Sequence, residues 1–356
     1  MPEATIRVAV ICGGRSGEHE VSRKSAASIV ANLDKSRYEP QLVLITEAGE
    51  WVFGDDEPVS VFDAIERLRD LDVIFPALHG PYGEDGTLQA VLEMTGVPYV
   101  GNGVLSSAIG MDKEITKKLL AAEGLPVSAS VVLRPEVDEP KEAEIRQLGL
   151  PVFVKPSRAG SSLGVSRVDR WEDLPAAIAR ARESDPKVLI EEAVPGREID
   201  LAVLEYPDGC LSVGPPLEIR VAEDRTFFDY NAKYGENGAV FDIPARLDGR
   251  INAELADLAL RAFRALGCAG LARIDFFLRD GKSPVVNEIN TFPGFTALSQ
   301  YPQIWDTAGL GYPALLDVLI DTALARRARQ PQPQAPAHPQ QRSQSADSVG
   351  QAERVG

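Results

Sequence analysis

Residues 270–296 read GLARIDFFLRDGKSPVVNEINTFPGFT, and this stretch carries the strongest signal for the fold. The apolar runs Ala272–Leu278 and Pro284–Ile289 predict two strands that follow each other in the chain. Arg273 and Asp275 are two residues apart on the first run, so both side chains leave the same face of that strand. The stretch therefore predicts a strand pair that presents charged groups on one face.

A candidate metal site follows from the pairing of these two strands. Glu288 and Asn290 are also two residues apart, and pairing brings them close to Asp275. Two carboxylates and an amide oxygen suit Mg²⁺, which binds few protein groups and completes its shell with water and phosphate. Arg273 would face the same phosphates. The alternative is an open sheet face with alternating polar residues, but four polar residues in matching register favour a site.

A second candidate site follows another apolar run, in PVFVKPSRAGSSLGV at residues 151–165. Lys155 lies at the end of this predicted strand, and a glycine-serine loop comes next. Such a loop presents backbone N–H groups and hydroxyls to oxyanions. The sequence is not a Walker A motif, because the lysine precedes the glycines. A surface connection is the alternative, and the lysine at the strand end favours the phosphate site.

Two glutamates follow the first predicted strand, Ile6–Cys12, in the sequence CGGRSGEHEVS. The glycines lack the GxGxxG spacing, which argues against a dinucleotide-binding motif. Glu18 and Glu20 lie near the start of the predicted helix Val21–Leu33. Two readings stay open here: the carboxylates complement the helix dipole, or one of them holds a substrate ammonium group.

Two further motifs combine glycine with functional side chains. His79 follows an apolar strand in ALHGPYGEDGTLQ, at the crevice position where α/β proteins bind ligands. The segment FFDYNAKYGENG, residues 227–238, is predicted to be an ordered flap that excludes water, or else an edge hairpin.

Alternating strands and helices predict an α/β fold with a parallel sheet near the N-terminus. One well-marked helix is Met111–Gly124, with Asp112 as N-cap and with Ile115, Leu119 and Leu120 on one face. We expect three domains, at 1–101, 102–192 and 193–327. The remaining 328–356 is predicted to be a disordered tail, because the sequence from Gln330 is rich in Pro, Gln and Ser.

Composition excludes several classes of protein. The net charge of −16 opposes nucleic-acid binding, since phosphate neutralisation dominates that affinity. No apolar run approaches the roughly 20 residues of a membrane span, and Met1–Val10 does not read as a signal peptide. Three scattered cysteines form no disulfide framework, which fits a cytoplasmic protein.

Seven motifs, in this order, make the chain similar to the D-alanine–D-alanine ligase family of the ATP-grasp superfamily. They are GGRSGEHEVS, ALHGPYGEDGTLQ, GNGVLSSAIGMDK, VKPSRAGSSLGVS, FFDYNAKY, GLARIDFF and NEINTFPGFT. The resemblance covers about residues 5–325. It implies a three-domain ATP-grasp architecture, with a Rossmann-like N-terminal domain followed by central and C-terminal ATP-grasp subdomains. The implied product is D-alanyl-D-alanine for peptidoglycan precursors, made through a D-alanyl phosphate with release of ADP and phosphate.

The resemblance also implies the residues of the nucleotide site. ATP as co-substrate would be bound by Lys113, Lys155, Ser161, Glu191, Val194, Glu198 and Lys233. Backbone groups near Glu191 and Val194 would hold the adenine, and Glu198 the ribose. Asp275, Glu288 and Asn290 match metal ligands, usually for two Mg²⁺ or Mn²⁺ ions.

The substrate and catalytic residues are implied in the same way. Glu18 matches the residue that binds the ammonium group of the first D-alanine, and His79 lies against that substrate. Ser161 and Tyr234 would complete a hydrogen-bonded set with Glu18. Gly294 would form an oxyanion hole with Arg273. Ser299 matches a contact to the second carboxylate, and the family suggests a homodimer.

Two positions depart from the family pattern beside the second-substrate site. The family commonly has Ser at the position of Ala297 and Met or Leu at the position of Gln300. Related ligases that take D-lactate or D-serine differ there and at the position of Tyr234, so retention of Lys233-Tyr234 favours D-alanine. The alternatives are a ligase with one of those second substrates and an inactive nucleotide-binding regulatory protein. The complete set of Arg273 and the three metal ligands argues against the latter.

Overall fold

A computed structural model of the chain describes residues 5–220 and 240–329. The predictions for Lys233 and Tyr234, for the flap at 227–238 and for the tail from Gln330 concern residues outside these ranges.

The N-terminal part of the chain is built on a four-stranded sheet. Strand β1 (Ile6–Gly13) lies between the parallel strands β2 (Tyr38–Ile45) and β4 (Val73–Pro76), and the short β3 (Trp51–Phe53) pairs antiparallel with β2. From Val8 onward β1 is buried, as expected for the centre of a sheet that is covered on both faces. This arrangement confirms the predicted parallel sheet and adds an antiparallel edge strand.

Helices cover this first sheet and lead into the next unit. They are α1 (His19–Asn32), α2 (Val61–Leu68), α3 (Thr87–Thr95) and α4 (Val104–Met111). The Ser60 side chain caps α2 by accepting a hydrogen bond from the backbone N–H of Asp63.

The second sheet has four antiparallel strands in the order β5-β8-β6-β7. They are β5 (Ser130–Leu133), β6 (Val152–Pro156), β7 (Ser166–Val168) and β8 (Val188–Glu192). Helices α6 (Glu142–Arg146) and α7 (Leu174–Arg182) accompany this sheet, with a short 3-10 helix at Trp171–Asp173. Helix α5 (Lys113–Ala122) precedes it in the chain and packs Leu120 into an apolar cluster of the third sheet.

Helix α5 confirms one prediction and corrects another. The Asp112 side chain accepts a hydrogen bond from the backbone N–H of Ile115, so Asp112 is the predicted N-cap. The predicted apolar face is wrong at Ile115, which is 41% exposed, whereas Glu114 and Lys117 are buried. The helix turns charged groups inward because each of them meets a partner of opposite charge.

The third sheet holds six strands. They are β9 (Gly196–Glu205), β10 (Leu211–Val213), β11 (Leu217–Arg220), β12 (Val240–Asp242), β13 (Leu271–Arg279) and β14 (Ser283–Asn290). Five follow the order β12-β11-β9-β13-β14, and β10 also pairs with β9. The helices of this part are α8 (Gly249–Ala265), α9 (Gln300–Thr307) and α10 (Tyr312–Arg329).

The pairing of β13 with β14 is the predicted one. Asp275 lies opposite Glu288, and Arg273 lies opposite Asn290. On its other side β13 pairs with β9, which places Asp200 opposite Asp275. Directly paired residues share a face, so three acidic side chains lie in one row across the sheet.

Apolar packing joins the first and third sheets but not the second. One buried cluster contains Val8, Phe75, Ala202, Leu271 and Leu316, which come from the first sheet, the third sheet and α10. The second sheet has a separate cluster, whose buried members among the described residues lie between Leu133 and Ile190. The cleft of the candidate site therefore lies between two bodies. The first and third sheets share one apolar core, and the second sheet has its own.

Within the described ranges, no single helix is long and apolar enough to cross a membrane. The pair α9 and α10 meets that criterion by length and composition only when taken together, and it is bent by 104°.

Candidate active site

A cleft of about 1380 Å³ collects the predicted site residues. Those that line it are Glu18, His79, Lys113, Lys155, Ser161, Glu191, Val194, Glu198, Arg273, Glu288, Asn290, Gly294, Ser299 and Gln300. They come from all three sheets and their loops. Asp275 does not reach the cleft wall. Strand ends and glycine-rich turns therefore converge on one space large enough for a nucleotide and small substrates.

Arg273 is held on the third sheet by a two-pronged ion pair. Its Nε and Nη2 atoms each lie 2.7 Å from an oxygen of Asp275, and its Nε lies 3.3 Å from Asp200. Burial opposes the positive charge, but Asp275 and Asp200 raise the pKa of Arg273 above its usual value. The guanidinium is therefore a fixed cation at the base of the cleft.

The predicted metal ligands lie next to this arginine. The Nδ2 atom of Asn290 donates to Asp275 at 2.9 Å, and Glu288 lies 3.6 Å from the Nζ atom of Lys113. Among the described residues, no group of three or more His, Cys, Asp or Glu side chains is arranged to hold a metal ion. The set has two carboxylates and one amide, and these hard oxygen donors fit Mg²⁺ or Mn²⁺ in chemical type.

A buried cluster of lysines surrounds Glu191 at the opposite wall of the cleft. Lys117 and Lys155 both form ion pairs with the Glu191 carboxylate, and the Nζ atom of Lys117 also lies 2.7 Å from the Ser128 hydroxyl. Burial works against the carboxylate charge, but Lys155 and Lys117 lower the pKa of Glu191 to about 2. The Glu191 side chain thus orients Lys155, and the backbone of β8 stays the predicted adenine contact.

Sequence reasoning missed Lys117, although a signal existed. Lys117 follows Lys113 by four residues on α5, so both side chains lie on one side of the helix. Lys113 turns its Nζ atom to the carbonyl of Ala159, 2.9 Å away in the glycine-serine loop. Helix α5 therefore braces both the loop and the lysine cluster.

Glu18 lies where the first sheet meets the glycine-serine loop. It occupies the N-cap position of α1 but makes no capping hydrogen bond. It instead accepts a hydrogen bond from the Ser161 hydroxyl. A Cβ at Gly80 would lie 2.1 Å from the Glu18 Oε2 atom, and one at Gly160 would lie 2.9 Å away. Glu18 thus has a partner in the glycine-serine loop, whereas the exposed Glu20 pairs with Arg23 on its own helix.

His79 and Glu84 hold the peptide groups of Phe292 from both sides. The Nδ1–H of His79 donates to the Phe292 carbonyl at 3.3 Å, and Ser25 lies 2.8 Å from Nε2. Burial lowers the pKa of His79, so the ring is neutral and Nε2 accepts from Ser25. The Glu84 carboxyl accepts from the backbone N–H groups of Phe292, at 3.1 Å, and of Gly80, at 2.7 Å.

Glu84 and Asp200 are acidic residues of the site that sequence reasoning passed over. Burial, followed by the charge of Glu18, raises the pKa of Glu84 to about 8. Asp200 is fully buried and stands two residues from Glu198 on β9. A charged residue at a period of two within an apolar strand was the available signal for Asp200.

Gly294, Ser299 and Gln300 form the end of the cleft next to Arg273. Ser299 stands at the N-cap position of α9, and its hydroxyl accepts a hydrogen bond from the backbone N–H of Thr296 at 3.0 Å. The Gln300 side chain reaches Arg273 at 2.7 Å and Asp200 at 2.9 Å. The structure therefore brings the predicted second-substrate residues together beside the predicted oxyanion donors.

Three sheets surround a shared cleft, with buried lysines on one wall and an arginine with carboxylates on the other. This arrangement defines the class of the protein as an ATP-grasp enzyme. The family model described as the D-ala D-ala ligase N-terminus matches residues 7–65 and 56–102. The model described as the D-ala D-ala ligase C-terminus matches residues 119–321. The chain belongs to the D-alanine–D-alanine ligase family.

Individual relatives agree with this assignment. The chain is 50% identical to the D-alanine–D-alanine ligase of Mycolicibacterium smegmatis, over 91% of this chain and 97% of that one. It is similar to the crystal structure of VanG D-Ala:D-Ser ligase from Enterococcus faecalis, with 36% identity, a TM-score of 0.78 and coverage of 90% and 100%. The ATP complex of D-alanine–D-alanine ligase from Bacillus anthracis gives 34% identity, a TM-score of 0.76 and coverage of 91% and 99%.

Proposed function

We propose that this protein joins two molecules of D-alanine at the expense of ATP, giving D-alanyl-D-alanine, ADP and phosphate. One observation carries the proposal: Arg273 of the third sheet, Lys113 of α5 and Lys155 of the second sheet line one cleft that also contains Glu18. Cations on two walls would neutralise the phosphates between them, and Glu18 supplies a separate anionic point for an amino acid. The relatives named D-alanine–D-alanine ligase at 50% identity support the same substrate.

The first chemical step activates a carboxylate, which is a poor electrophile because its oxygen does not leave. An oxygen of the first D-alanine attacks the γ-phosphorus of ATP, and ADP departs. This transfer depends mainly on positioning and on compensation of charge. We assign that role to Lys113, Lys155 and Arg273, with Lys233 as the further phosphate contact expected from the sequence. Val194 and Glu198 would hold the adenosine at the other end.

Three residues next to the phosphate contacts could hold a divalent cation. Asp275, Glu288 and Asn290 would hold Mg²⁺ or Mn²⁺, which supplies positive charge to the phosphates when it is bound. The proximity of Glu288 to Lys113, at 3.6 Å, supports this placement, because both side chains then face the same phosphates. The Arg273–Asp275 pair would keep the arginine beside that site.

The first D-alanine would lie at the junction of the first sheet and the glycine-serine loop. Its ammonium group pairs with Glu18, which the Ser161 hydroxyl holds in place. His79 contributes a neutral wall that does not compete with the ammonium for Glu18. Tyr234 is expected, from the sequence, to join Ser161 and to help cover the acyl phosphate, which would hydrolyse in open water.

The second step forms the peptide bond. The amine of the second D-alanine attacks the acyl carbon, and the oxygen of that carbon becomes negative. Arg273 and the backbone N–H of Gly294 would stabilise this oxyanion. Phosphate then leaves, and the nitrogen loses its extra proton. Ser299 and Gln300 border the space for the second substrate, where Ser299 would contact the carboxylate.

The test is a direct comparison of substrates. Release of ADP and phosphate is measured with D-alanine, L-alanine, D-lactate with D-alanine, and D-serine with D-alanine, and the products are identified by mass. We expect D-alanine alone to give the highest turnover. A preference for D-serine would instead ally this chain with the D-Ala:D-Ser ligase that it resembles at 36% identity. The absence of phosphate release with every substrate would favour a regulatory nucleotide-binding protein.

Three further assignments belong to the same proposal. We assign the chain an N-terminal domain ending near residue 101, a central subdomain ending near 192 and a C-terminal subdomain ending near 327. We expect the enzyme to act as a homodimer in the cytoplasm, where its substrates ATP and D-alanine are found. We expect the segment from Gln330 to be dispensable, because its composition does not support a packed core.

A further inference from the structure

Gln300 bridges Arg273 and a buried carboxylate at the start of α9. Its Oε1 atom accepts a hydrogen bond from Nη1 of Arg273 at 2.7 Å. Its Nε2 atom donates to Oδ2 of Asp200 at 2.9 Å. Asp200 is fully buried and lies 3.3 Å from Nε of the same arginine. One carboxamide therefore contacts both members of a buried ion pair, and its two ends match their opposite charges.

Two carboxylates compete for the guanidinium of Arg273. Asp275 receives Nε and Nη2 at 2.7 Å each, whereas Asp200 lies on the neighbouring strand at 3.3 Å from Nε. An arginine makes its strongest pair with one carboxylate at a time, through two parallel hydrogen bonds. Gln300 biases this competition, because its N–H donates to Oδ2 of Asp200 while its oxygen accepts from Nη1 of Arg273, whose Nε and Nη2 stay paired with Asp275.

The orientation that results matters for the cleft. Within the described part of the chain, one N–H of Nη1 and one N–H of Nη2 in Arg273 have no protein acceptor. These are the donors that an oxyanion requires, and oxyanion stabilisation depends on donors fixed before the charge develops. A rotation of the guanidinium toward Asp200 would move both donors.

We propose that Gln300 is a positioning residue that fixes Arg273 for transition-state stabilisation and couples it to the second-substrate end of the cleft. The coupling arises because Gln300 begins α9 directly after Ser299. This inference rests on the proposed ligase function. It differs from a role in binding substrate, because both ends of the carboxamide are already engaged by protein groups.

The test uses substitutions that separate hydrogen bonding from size and charge. Gln300→Met keeps the approximate length of the side chain and removes both hydrogen bonds. We expect kcat to fall about ten- to a hundredfold, as for loss of a hydrogen bond to a charged group, with KM for ATP within about threefold of the wild-type value. Gln303→Met is the matched control, since Gln303 lies on the same helix and its side chain donates a hydrogen bond to the carbonyl of Leu298 rather than to Arg273 or Asp200.

A charge exchange then tests the bridge itself. Gln300→Glu retains an acceptor for Arg273 but sets a carboxylate against Asp200, so kcat should fall at least as far as in Gln300→Met. Adding Asp200→Asn to Gln300→Glu supplies a donor at position 200 for the new carboxylate. The summed charge of the two side chains then equals that of the wild-type pair. The double variant should have a kcat at least tenfold higher than that of Gln300→Glu alone.

Outcomes that overturn the inference are distinct from failure of the proposed function. The inference is wrong if Gln300→Met retains kcat within twofold, if it changes only KM for ATP, or if Asp200→Asn gives no recovery. Crystal structures of the wild type and Gln300→Met supply a readout that needs no substrate. They should show the guanidinium of Arg273 shifted from Asp275 toward Asp200, and an unmoved guanidinium contradicts the inference. A wild type inactive with D-alanine instead refutes the ligase assignment.

Discussion

The hydroxyl of Ser161 donates a hydrogen bond to the carboxylate of Glu18, across 143 residues of sequence. The donor belongs to the loop that follows the β6 strand of the second sheet. The acceptor follows the β1 strand of the first sheet. This bond therefore connects the phosphate loop with the expected ammonium site, although the two belong to bodies with separate apolar cores.

Removal of the Ser161 hydroxyl should reduce activity more than stability. Ser161 has φ of +49°, a left-handed conformation that is strained for most residues. Ser161→Ala removes the bond and keeps the strain, whereas Ser161→Gly removes the bond and relieves the strain. We expect about a tenfold loss of kcat/KM for D-alanine in both variants. The melting temperature of Ser161→Gly should be higher than that of Ser161→Ala. Loss in Ser161→Ala alone would show that backbone geometry matters and the hydroxyl does not.

The metal assignment predicts that Glu288 serves chemistry rather than folding. Glu288→Gln should lower dipeptide formation about a hundredfold or more, because a charged ligand next to the phosphates is lost. The variant should still fold and bind ATP, and its affinity for Mn²⁺ in the presence of ATP, measured by electron paramagnetic resonance, should fall. Glu254→Gln, at an exposed position on α8, is the control. Normal turnover by Glu288→Gln would refute the metal site.

The buried lysine cluster predicts a large difference between two neighbouring lysines. Lys117→Met leaves Glu191 with one of its two cationic partners, so the free energy of unfolding should fall by about 3 kcal/mol. Lys118→Met removes an ion pair in which the lysine side chain is 63% exposed, and such pairs contribute about 0–1 kcal/mol. Denaturant unfolding of the two variants measures the contrast. Equal losses would mean that the cluster does not stabilise the second sheet.

Glu84 predicts a stability that depends on pH. Burial and the charge of Glu18 raise its pKa from an ordinary 4.5 to about 8. Between these values the folded protein keeps a proton that the unfolded chain has lost, so this group makes the free energy of unfolding fall as pH rises. Glu84→Gln removes the titration, and its stability relative to wild type should improve by on the order of 1 kcal/mol per pH unit across that window.

Melting curves between pH 5 and pH 8 check the Glu84 prediction. The lost hydrogen bond to Gly80 or Phe292 adds a cost that does not vary with pH, so only the slope is diagnostic. Glu47→Gln, at an exposed turn, is the control variant for the same glutamate-to-glutamine exchange. A constant difference between wild type and Glu84→Gln would mean that Glu84 is ionised throughout.

The strand pairing at the heart of the site was predictable because its cause is local. Side chains alternate along a strand, so the two-residue spacing of Arg273 with Asp275 and of Glu288 with Asn290 is enough to place each pair on a common face. The register confirms that Asp275 lies opposite Glu288. The N-cap at Asp112 was predictable for the same reason, since capping depends on neighbouring residues.

The burial of charged groups was not predictable, because it depends on partners that are distant in the sequence. Helix α5 reads as an amphipathic helix with Ile115 inward, yet Lys117 is buried because Glu191 comes from a strand more than 70 residues later. The burial of Glu84 and Asp200 depends on distant partners in the same way, although the two-residue spacing of Glu198 and Asp200 was a signal for the latter. Their meaning depends on Phe292 and Arg273, which belong to other parts of the fold.

The separate apolar core of the second sheet implies that the enzyme has more than one unit of cooperative unfolding. A body that shares little buried surface with its neighbours can open with its own free energy, below that of global unfolding. Backbone amides of β6 and β8 would then exchange with deuterium ahead of those in β1 and β13. If ATP binds between the two bodies as proposed, it would slow exchange in β6 and β8 most. Isotope labelling would then report nucleotide occupancy without any catalytic turnover.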